Sequence, residues 1–323
     1  MAEMNFRWAI TYAMQEEMER DENVFLIGED VGKPGGAFGM SRGLFDRFGE
    51  WRVRDTPISE EAFMGLAAGA ALVGLRPIVE IMFMDFIMVA MEPLCNQAAK
   101  FRYAYGGAVK VPMVVRALYG AGWGAAAHHS QSLEAWFVHC PGLKVVAPSG
   151  AYDAKGLLKA SIRDDNPVVF LEHKLLLPVK EEVPEQEYLV PLGRAAIKRE
   201  GSDVSIVAWG WQVQEALRAA AQLAEEGIQA EVVDLRSLSP LDEETILNSV
   251  RKTGRLVVVQ EAPAPCGFAS EVICLVSEKA MEYLDAPPKR VTAFFAPMPS
   301  GPLEKYIIPQ QDDIISGVQE VCR

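Results

Sequence analysis

The chain has 323 residues, 50% of them hydrophobic and 23% charged, with a formal charge of -13. That length suggests about two domains, and the acidic balance argues against nucleic acid as a partner while leaving room for a basic protein. No run approaches the ~18 uninterrupted apolar residues of a membrane span, and MAEMNFRWAITYAMQEEMERDE carries acids where a secretory signal needs bases, so a cytoplasmic protein without membrane contact is expected.

Residues 5–20 place Phe6, Ala9, Ile10, Ala13, Met14 and Met18 at the helical period, which predicts an amphipathic helix. NVFLIGEDVG then reads as a strand ending in a turn. Glu29 and Asp30 sit at its carboxyl end, where open α/β sheets bind ligands, although two solvated turn acids are the reading this stretch alone favours. KPGGAFGMSRG is glycine-rich, lacks the G-x-G-x-x-G order and is read as a loop.

The chemistry is expected in residues 55–86, DTPISEEAFMGLAAGAALVGLRPIVEIMFMDF. Pro57 ends the preceding element, Ser59 suits an N-cap, and Glu60 and Glu61 fall in a first helical turn, where the macrodipole favours anions. The pair stands at the mouth of an apolar segment; equally, it only answers the dipole. Gly65, Ala67, Ala68, Gly69, Ala70, Ala71 and Gly74 predict a buried helix that another backbone can approach, and PIVEIMF a buried strand.

A helix over residues 86–105 and a strand over 112–117 follow, then the long small-residue loop LYGAGWGAAAHHSQS. Loops of this length inside a compact domain are usually functional, and this one ends at His128 and His129, two of the chain's four histidines. They suit proton transfer and loop capping equally well. Ser130, Gln131 and Ser132 are placed to cap the helix LEAWFVH. KVVAPS (strand), a helix over 151–163 and NPVVFLE (strand) continue an alternation that implies a parallel sheet with helices on both faces.

Residues 173–191, with three prolines and an acidic run, read as the linker. Beyond it SDVSIVAWG, QAEVVDLRSL, RLVVVQE and VTAFFA alternate with helices from about Gln212 to Glu226, Leu241 to Lys252 and Phe268 to Leu284, and a terminal helix lies near 312–322. This half shows no catalytic cluster and no histidine. Five scattered cysteines (Cys95, Cys140, Cys266, Cys274, Cys322) have no zinc or disulfide spacing, and there is no Walker loop, H-E-x-x-H or EF-hand loop. His129 beside Ser130 hints at a hydrolase, but adjacent residues rarely reach nucleophile-to-base geometry.

Together DTPISE (55–60), GLRPIVEI (74–81), NQAAKFRY (96–103), HSQSLEAWF (129–137), CPGLKVV (140–146), DAKGLL (153–158) and RDDNPVVFLE (163–172) resemble the β subunit of the thiamine-diphosphate-dependent E1 component of 2-oxo acid dehydrogenase complexes. VVDLRSLSPLD (232–242) and KTGRLVVVQE (252–261) are similar to that family's transketolase C-terminal domain, so the resemblance spans essentially the whole chain. It implies an α/β fold in which a parallel-sheet domain over residues 1–186 binds the cofactor's pyrimidine. A transketolase C-terminal-like domain over 187–323 would serve assembly and acyltransferase docking.

The resemblance also implies roles. Glu60 matches the glutamate that hydrogen-bonds the aminopyrimidine of thiamine diphosphate, Phe86 the aromatic packed against that ring, and Ile58 another cofactor-binding position. His129 matches the histidine that assists acyl transfer to the lipoyl group, and Glu29 an acid between the assembly's two cofactors. Carbonyls of Ser161, Asp164 and Asn166 fall where some members hold potassium.

The family's G-D-G for magnesium and diphosphate is absent, so an α subunit is expected to hold the Mg2+ in a heterotetramer of two α and two β chains. A lipoyl-bearing acyltransferase (E2) is the second partner, expected to dock on Glu304, Asp312, Asp313, Glu320 and the terminal carboxylate of Arg323. The substrate is a small 2-oxo acid or acetoin. HSQSLEAWF looks closest to the acetoin branch, and Trp123, if it points inward, favours a two-carbon acyl group; loop packing is an equal reading. The alternative to an enzyme is a non-catalytic scaffold of the same fold.

Overall fold

The computed structural model describes residues 1–323 and divides them into two compact units, Met1–Tyr119 with Trp136–Leu192 and Gly120–Ala135 with Gly193–Arg323. The first unit opens with strand β1 (Ala2–Asn5) and helix α1 (Phe6–Arg20), whose N-cap Asn5 accepts from the Trp8 amide. Phe6, Ala9, Ile10, Ala13, Met14 and Met18 are buried, the stripe that the sequence period predicts. Then come β2 (Val24–Gly28), α2 (Leu44–Phe48), β3 (Val53–Asp55), α3 (Glu60–Leu72), β4 (Arg76–Phe83), α4 (Ala99–Ala104) and β5 (Val114–Tyr119). After α5 (Glu134–Val138) the unit continues with β6 (Lys144–Val146), α6 (Ala151–Arg163), β7 (Val168–His173) and β8 (Lys180–Val183).

Six strands form one wholly parallel sheet in the order β6, β7, β5, β4, β2, β3. VFLIG, VVRALY and VVFLEH are buried along their whole length, as expected of strands covered on both faces. Within the sheet Arg116 is fully buried; its Nε donates to Glu172 at 2.7 Å and its Nη1 to Glu80 at 2.9 Å.

Three expectations need correction. Residues 173–191 are no bare linker: between Pro178 and Pro184, β8 pairs antiparallel with β1, from Ala2–Val183 to Asn5–Lys180. Glu181 of this strand accepts from the Tyr152 amide at 2.9 Å, supplying the acceptor that N-cap Gly150 of α6 lacks. The helix expected over 86–105 is a 3-10 segment (Met84–Ala90), a π-helical turn (Glu92–Ala98) and then α4, because Pro93 has no N–H for the regular ladder. Finally, α3 is buried on one face only. Phe63, Met64, Ala67, Ala68 and Ala71 face inward, while Gly65, Leu66 (55% exposed) and Gly69 face outward.

The second unit runs β9 (Ala196–Arg199), β10 (Val204–Ala208), α7 (Trp211–Glu225), β11 (Ala230–Asp234), β12 (Ser237–Ser239), α8 (Glu243–Thr253), β13 (Leu256–Pro263), α9 (Ala269–Lys279), β14 (Lys289–Ala293) and α10 (Gln311–Val321). Its sheet order is β14, β13, β10, β11, β9, parallel except at the β9 edge. Val204, Ile206, Val232, Val257 and Val259 pack with Val213, Ala216 and Leu223 of α7 and Ile314 and Val318 of α10. Local signals set the helix ends: Asp242 caps α8 by accepting from the Thr245 amide, and Gly254 closes it at φ +69°. No helix in either unit is long and apolar enough to cross a membrane.

Candidate active site

Three neighbouring parallel strands of the first unit, β4, β2 and β3, each end next to a residue singled out from the sequence. Glu29 follows β2, Glu60 opens α3 five residues after the last residue of β3, and Phe86 lies just beyond β4. Gly28 and Asp55 are register partners and the Thr56 amide donates to Gly28 O at 3.0 Å, so the turns bearing the two glutamates leave the sheet together. Asp55 ties this edge down further, accepting from the Gly32 amide at 2.6 Å.

Burial raises the Glu29 carboxyl above its ordinary value, and the Glu60 and Asp30 carboxylates raise it further, against a lowering hydrogen bond from the Ser59 amide. Glu29 Oε1 and Thr56 Oγ1 are buried without a hydrogen-bond partner, an arrangement that a ligand would complete. Ser59 holds the N-cap position, but its hydroxyl donates back to Pro57 O at 3.1 Å and caps nothing. Ile58 beside it is 84% exposed. The half-buried Phe86 ring meets Phe83 edge-on at 6.2 Å, and Lys174 Nζ lies 4.9 Å over the Phe83 ring. A carboxyl pair, an unmatched hydroxyl, an aromatic ring and an exposed aliphatic side chain fit a flat, nitrogen-bearing ring such as an aminopyrimidine. No group of three or more His, Cys, Asp or Glu is placed to hold a metal ion.

His129 lies in the second unit, half-buried, on a turn in which its amide donates to Ala126 O at 3.3 Å and Ala126 takes φ +62°. The hydroxyls of Ser130 and Ser132, expected to cap the next helix, donate instead to Glu304 (3.4 Å) and Glu261 (3.3 Å). Beside them opens a cavity of about 400 Å³, lined by Leu133, Pro263, Phe294, Phe295 and Met298 among others. Trp123 is 42% exposed, so it fills no internal pocket of this chain.

The turn proposed for potassium is served by the chain's own cations. Arg76 Nη1 donates to Ile162 O at 2.9 Å and to Asp164 O at 3.1 Å, Lys144 pairs with the Asp164 carboxylate, and Arg102 donates to Asn166 Oδ1 at 2.8 Å. Ser161 O accepts the Asp164 amide at 3.2 Å. A guanidinium on the central carbonyl fits a second cation poorly.

Three of the acids expected to form a docking face are engaged within the chain. Glu304 is only 4% exposed and bonded to the histidine loop, Asp313 closes the capping box of α10 with Gln310, and Glu320 pairs with Lys289 at 2.6 Å. One pattern passed over in the sequence is G-x-S-x-G at Gly39–Gly43. It is no nucleophile elbow: Ser41 is fully buried, its hydroxyl donates to Val31 O at 2.8 Å, and the segment consists of turns.

Two family models match the chain. The family "Transketolase, pyrimidine binding domain" matches residues 2–180, and "Transketolase, C-terminal domain" matches residues 193–314. The β subunit of acetoin:2,6-dichlorophenolindophenol oxidoreductase from Bacillus subtilis is 52% identical, covering 97% of this chain and 95% of the relative. The β subunit of 2-oxoisovalerate dehydrogenase from the same organism is 47% identical (100% and 99% covered), and the mitochondrial pyruvate dehydrogenase E1 component subunit beta-2 of Oryza sativa is 48% identical (99% and 86%). Among solved structures, a split-gene transketolase described as an inactive beta4 tetramer superposes with a TM-score of 0.79 at 28% identity, covering 99% of this chain and 98% of that one.

Proposed function

From a chain that belongs to the β subunits of the thiamine-diphosphate-dependent E1 components of 2-oxo acid and acetoin dehydrogenase complexes, we propose a catalytic subunit that works only with a separate α subunit. The assembly cleaves acetoin or decarboxylates a small 2-oxo acid and passes the acyl group to a lipoyl group. The observation that carries this reading is the Glu29 and Glu60 pair at the carboxyl ends of adjacent parallel strands, with a partnerless Glu29 oxygen between burial and a second carboxylate. Thiamine diphosphate, when bound, supplies the electron sink for breaking the bond beside the carbonyl carbon.

The chain's residues then have separate tasks. Glu60 holds a proton at a ring nitrogen of the aminopyrimidine, Phe86 and Ile58 pack against that ring, and Glu29 stands beside them as a second acid. His129 supplies a proton during acyl transfer to the lipoyl sulfur. The outward face of α3 supports the need for a partner. Leu66 and Val73, with Met88 and Val89 of the 3-10 segment packed on this helix, are exposed around Gly65 and Gly69, which leave room for another backbone. Acetoin is the first substrate to test, because the Bacillus subtilis acetoin relative shares 52% of residues with this chain; a second acetoin relative, at 47%, stands level with the branched-chain one.

The test is turnover of acetoin, pyruvate and 2-oxoisovalerate by the purified chain, alone and with its α partner. Turnover only in the presence of the α chain, fastest with acetoin, is expected. Full turnover by the chain alone overturns the shared site, and a preference for the branched acid overturns the substrate assignment.

A further inference from the structure

The histidine loop closes on itself at its base, where the Gly120 amide donates to Gln131 O at 3.1 Å, and two carboxylates of the second unit hold its interior. Glu261 Oε1 accepts the Ala121 amide at 2.7 Å. Glu304 Oε2 accepts the Gly122 amide at 2.8 Å and the Gly124 amide at 2.9 Å, while its Oε1 accepts from Ser130 Oγ at 3.4 Å. One buried side chain therefore grips the loop on both sides of His129. The same segment is docked by backbone: Gly301 N donates to Gly124 O at 3.3 Å and Ala125 bridges Ser300. Gly124 has no room for a side chain, because a Cβ there would lie 2.9 Å from Gly301 Cα, and its φ is +71°.

Amides withdrawn from water need acceptors, and an ionised carboxylate makes the stronger, shorter bonds. A glycine-rich loop without such a clamp would sample many conformations, and a proton donor on it would rarely stand where acyl transfer needs it. We infer that Glu304 is a positioning residue for His129, fixing the loop from both sides so that the histidine stands in one place during acyl transfer. The inference rests on the role proposed for His129 and adds to it a task for the C-terminal unit, which contributes the clamp.

The test uses the reconstituted assembly with α subunit and lipoyl domain. It compares wild type with Glu304→Ala, Glu304→Asp, Glu304→Gln and His129→Ala. Three quantities are read: the rate with an artificial dye acceptor, kcat and KM for lipoyl acylation, and hydrogen exchange at the Gly122 and Gly124 amides. Glu304→Ala is expected to lower kcat for lipoyl acylation at least about tenfold, with the lipoyl KM and the dye rate within about twofold and exchange of both amides accelerated. Glu304→Asp, one methylene short of the loop, should fall between, and gives the same contrast if the alanine variant does not fold. Glu304→Gln, whose amide oxygen still accepts both glycine amides, should recover acylation to within about threefold.

Unchanged exchange at Gly122 and Gly124 overturns the clamp. Faster exchange with full acylation, or equal loss in the dye and lipoyl rates, overturns the positioning role. A His129→Ala assembly that acylates lipoyl at full rate overturns the role of the histidine itself, and the exchange data still judge the clamp separately.

Discussion

Glu29 and Glu60 stand together at the carboxyl ends of β2 and β3, where burial first and then the Glu60 charge raise the Glu29 pKa. A carboxyl raised in this way keeps its proton in the folded chain over a pH window in which the unfolded chain has lost it, so its contribution to stability falls as pH rises through that window. Replacing Glu60 by Gln removes only the smaller cause. The Glu29 pKa, followed by carbon-detected NMR titration, should therefore drop yet stay above the ordinary glutamate value; no drop at all would separate the two residues.

Glu134 in the second unit gives a second, independent pH signature. It is fully buried, its Oε1 accepts from Trp209 Nε1 at 3.2 Å, and burial pushes its carboxyl up from 4.5 to about 7, with the Glu261 charge a smaller contribution in the same direction. The folded chain then binds more protons than the unfolded chain between 4.5 and about 7, so stability present below that window is lost as pH rises through it. Glu134→Gln should abolish this slope and stabilise the chain above pH ~7 by on the order of 3 kcal/mol. Denaturant midpoints at several pH values decide it, and parallel pH profiles for variant and wild type would contradict the assignment.

Arg116 tests the core of the first sheet. Its side chain is wholly buried between Glu80 and Glu172, so Arg116→Met leaves two carboxylates without their cation. Breaking one side of a buried ion group typically costs about 3–5 kcal/mol. Chemical denaturation should show a loss of that order, partly recovered by adding Glu172→Gln; a loss below about 1 kcal/mol would mean that the group relaxes or takes up water.

For acyltransferase docking, Asp312 and Asp313 must be separated. Asp313 Oδ2 accepts from the Gln310 amide at 2.9 Å, so Asp313→Asn weakens a helix cap by about 1 kcal/mol whether or not a partner binds there. Asp312→Asn leaves the cap intact. If this face docks a basic domain, Asp312→Asn weakens binding at low salt and has little effect at high salt; equal affinity at both ionic strengths removes the face from consideration.

Long apolar runs made β2, β4, β5, β7, β10, β11 and β13 legible in the sequence, and the stripe of α1 was equally plain. The carboxylate pair was legible only as two separate acids: β3, the strand that brings Glu60 beside Glu29, has three residues, too few to show a period. β8 was hidden between prolines that signal a linker, and the π-helical turn at Pro93 has no propensity signature of its own. Glu304 was misread as a surface acid because its partners Gly122 and Gly124 are 182 and 180 residues away, and a lone glutamate in a polar segment gives no sign of them. The Ser161–Asn166 turn was read from motif position alone, which cannot show that Arg76, far upstream, reaches its carbonyls.

The most direct test of the central claim is the dye-linked turnover of the reconstituted assembly carrying Glu60→Gln, measured at saturating thiamine diphosphate beside wild type. If Glu60 holds the proton on which cofactor activation depends, turnover falls at least about 100-fold while the assembly and cofactor binding persist. A Glu60→Gln assembly that binds the cofactor and turns over at the wild-type rate would contradict the account and leave the chain a scaffold.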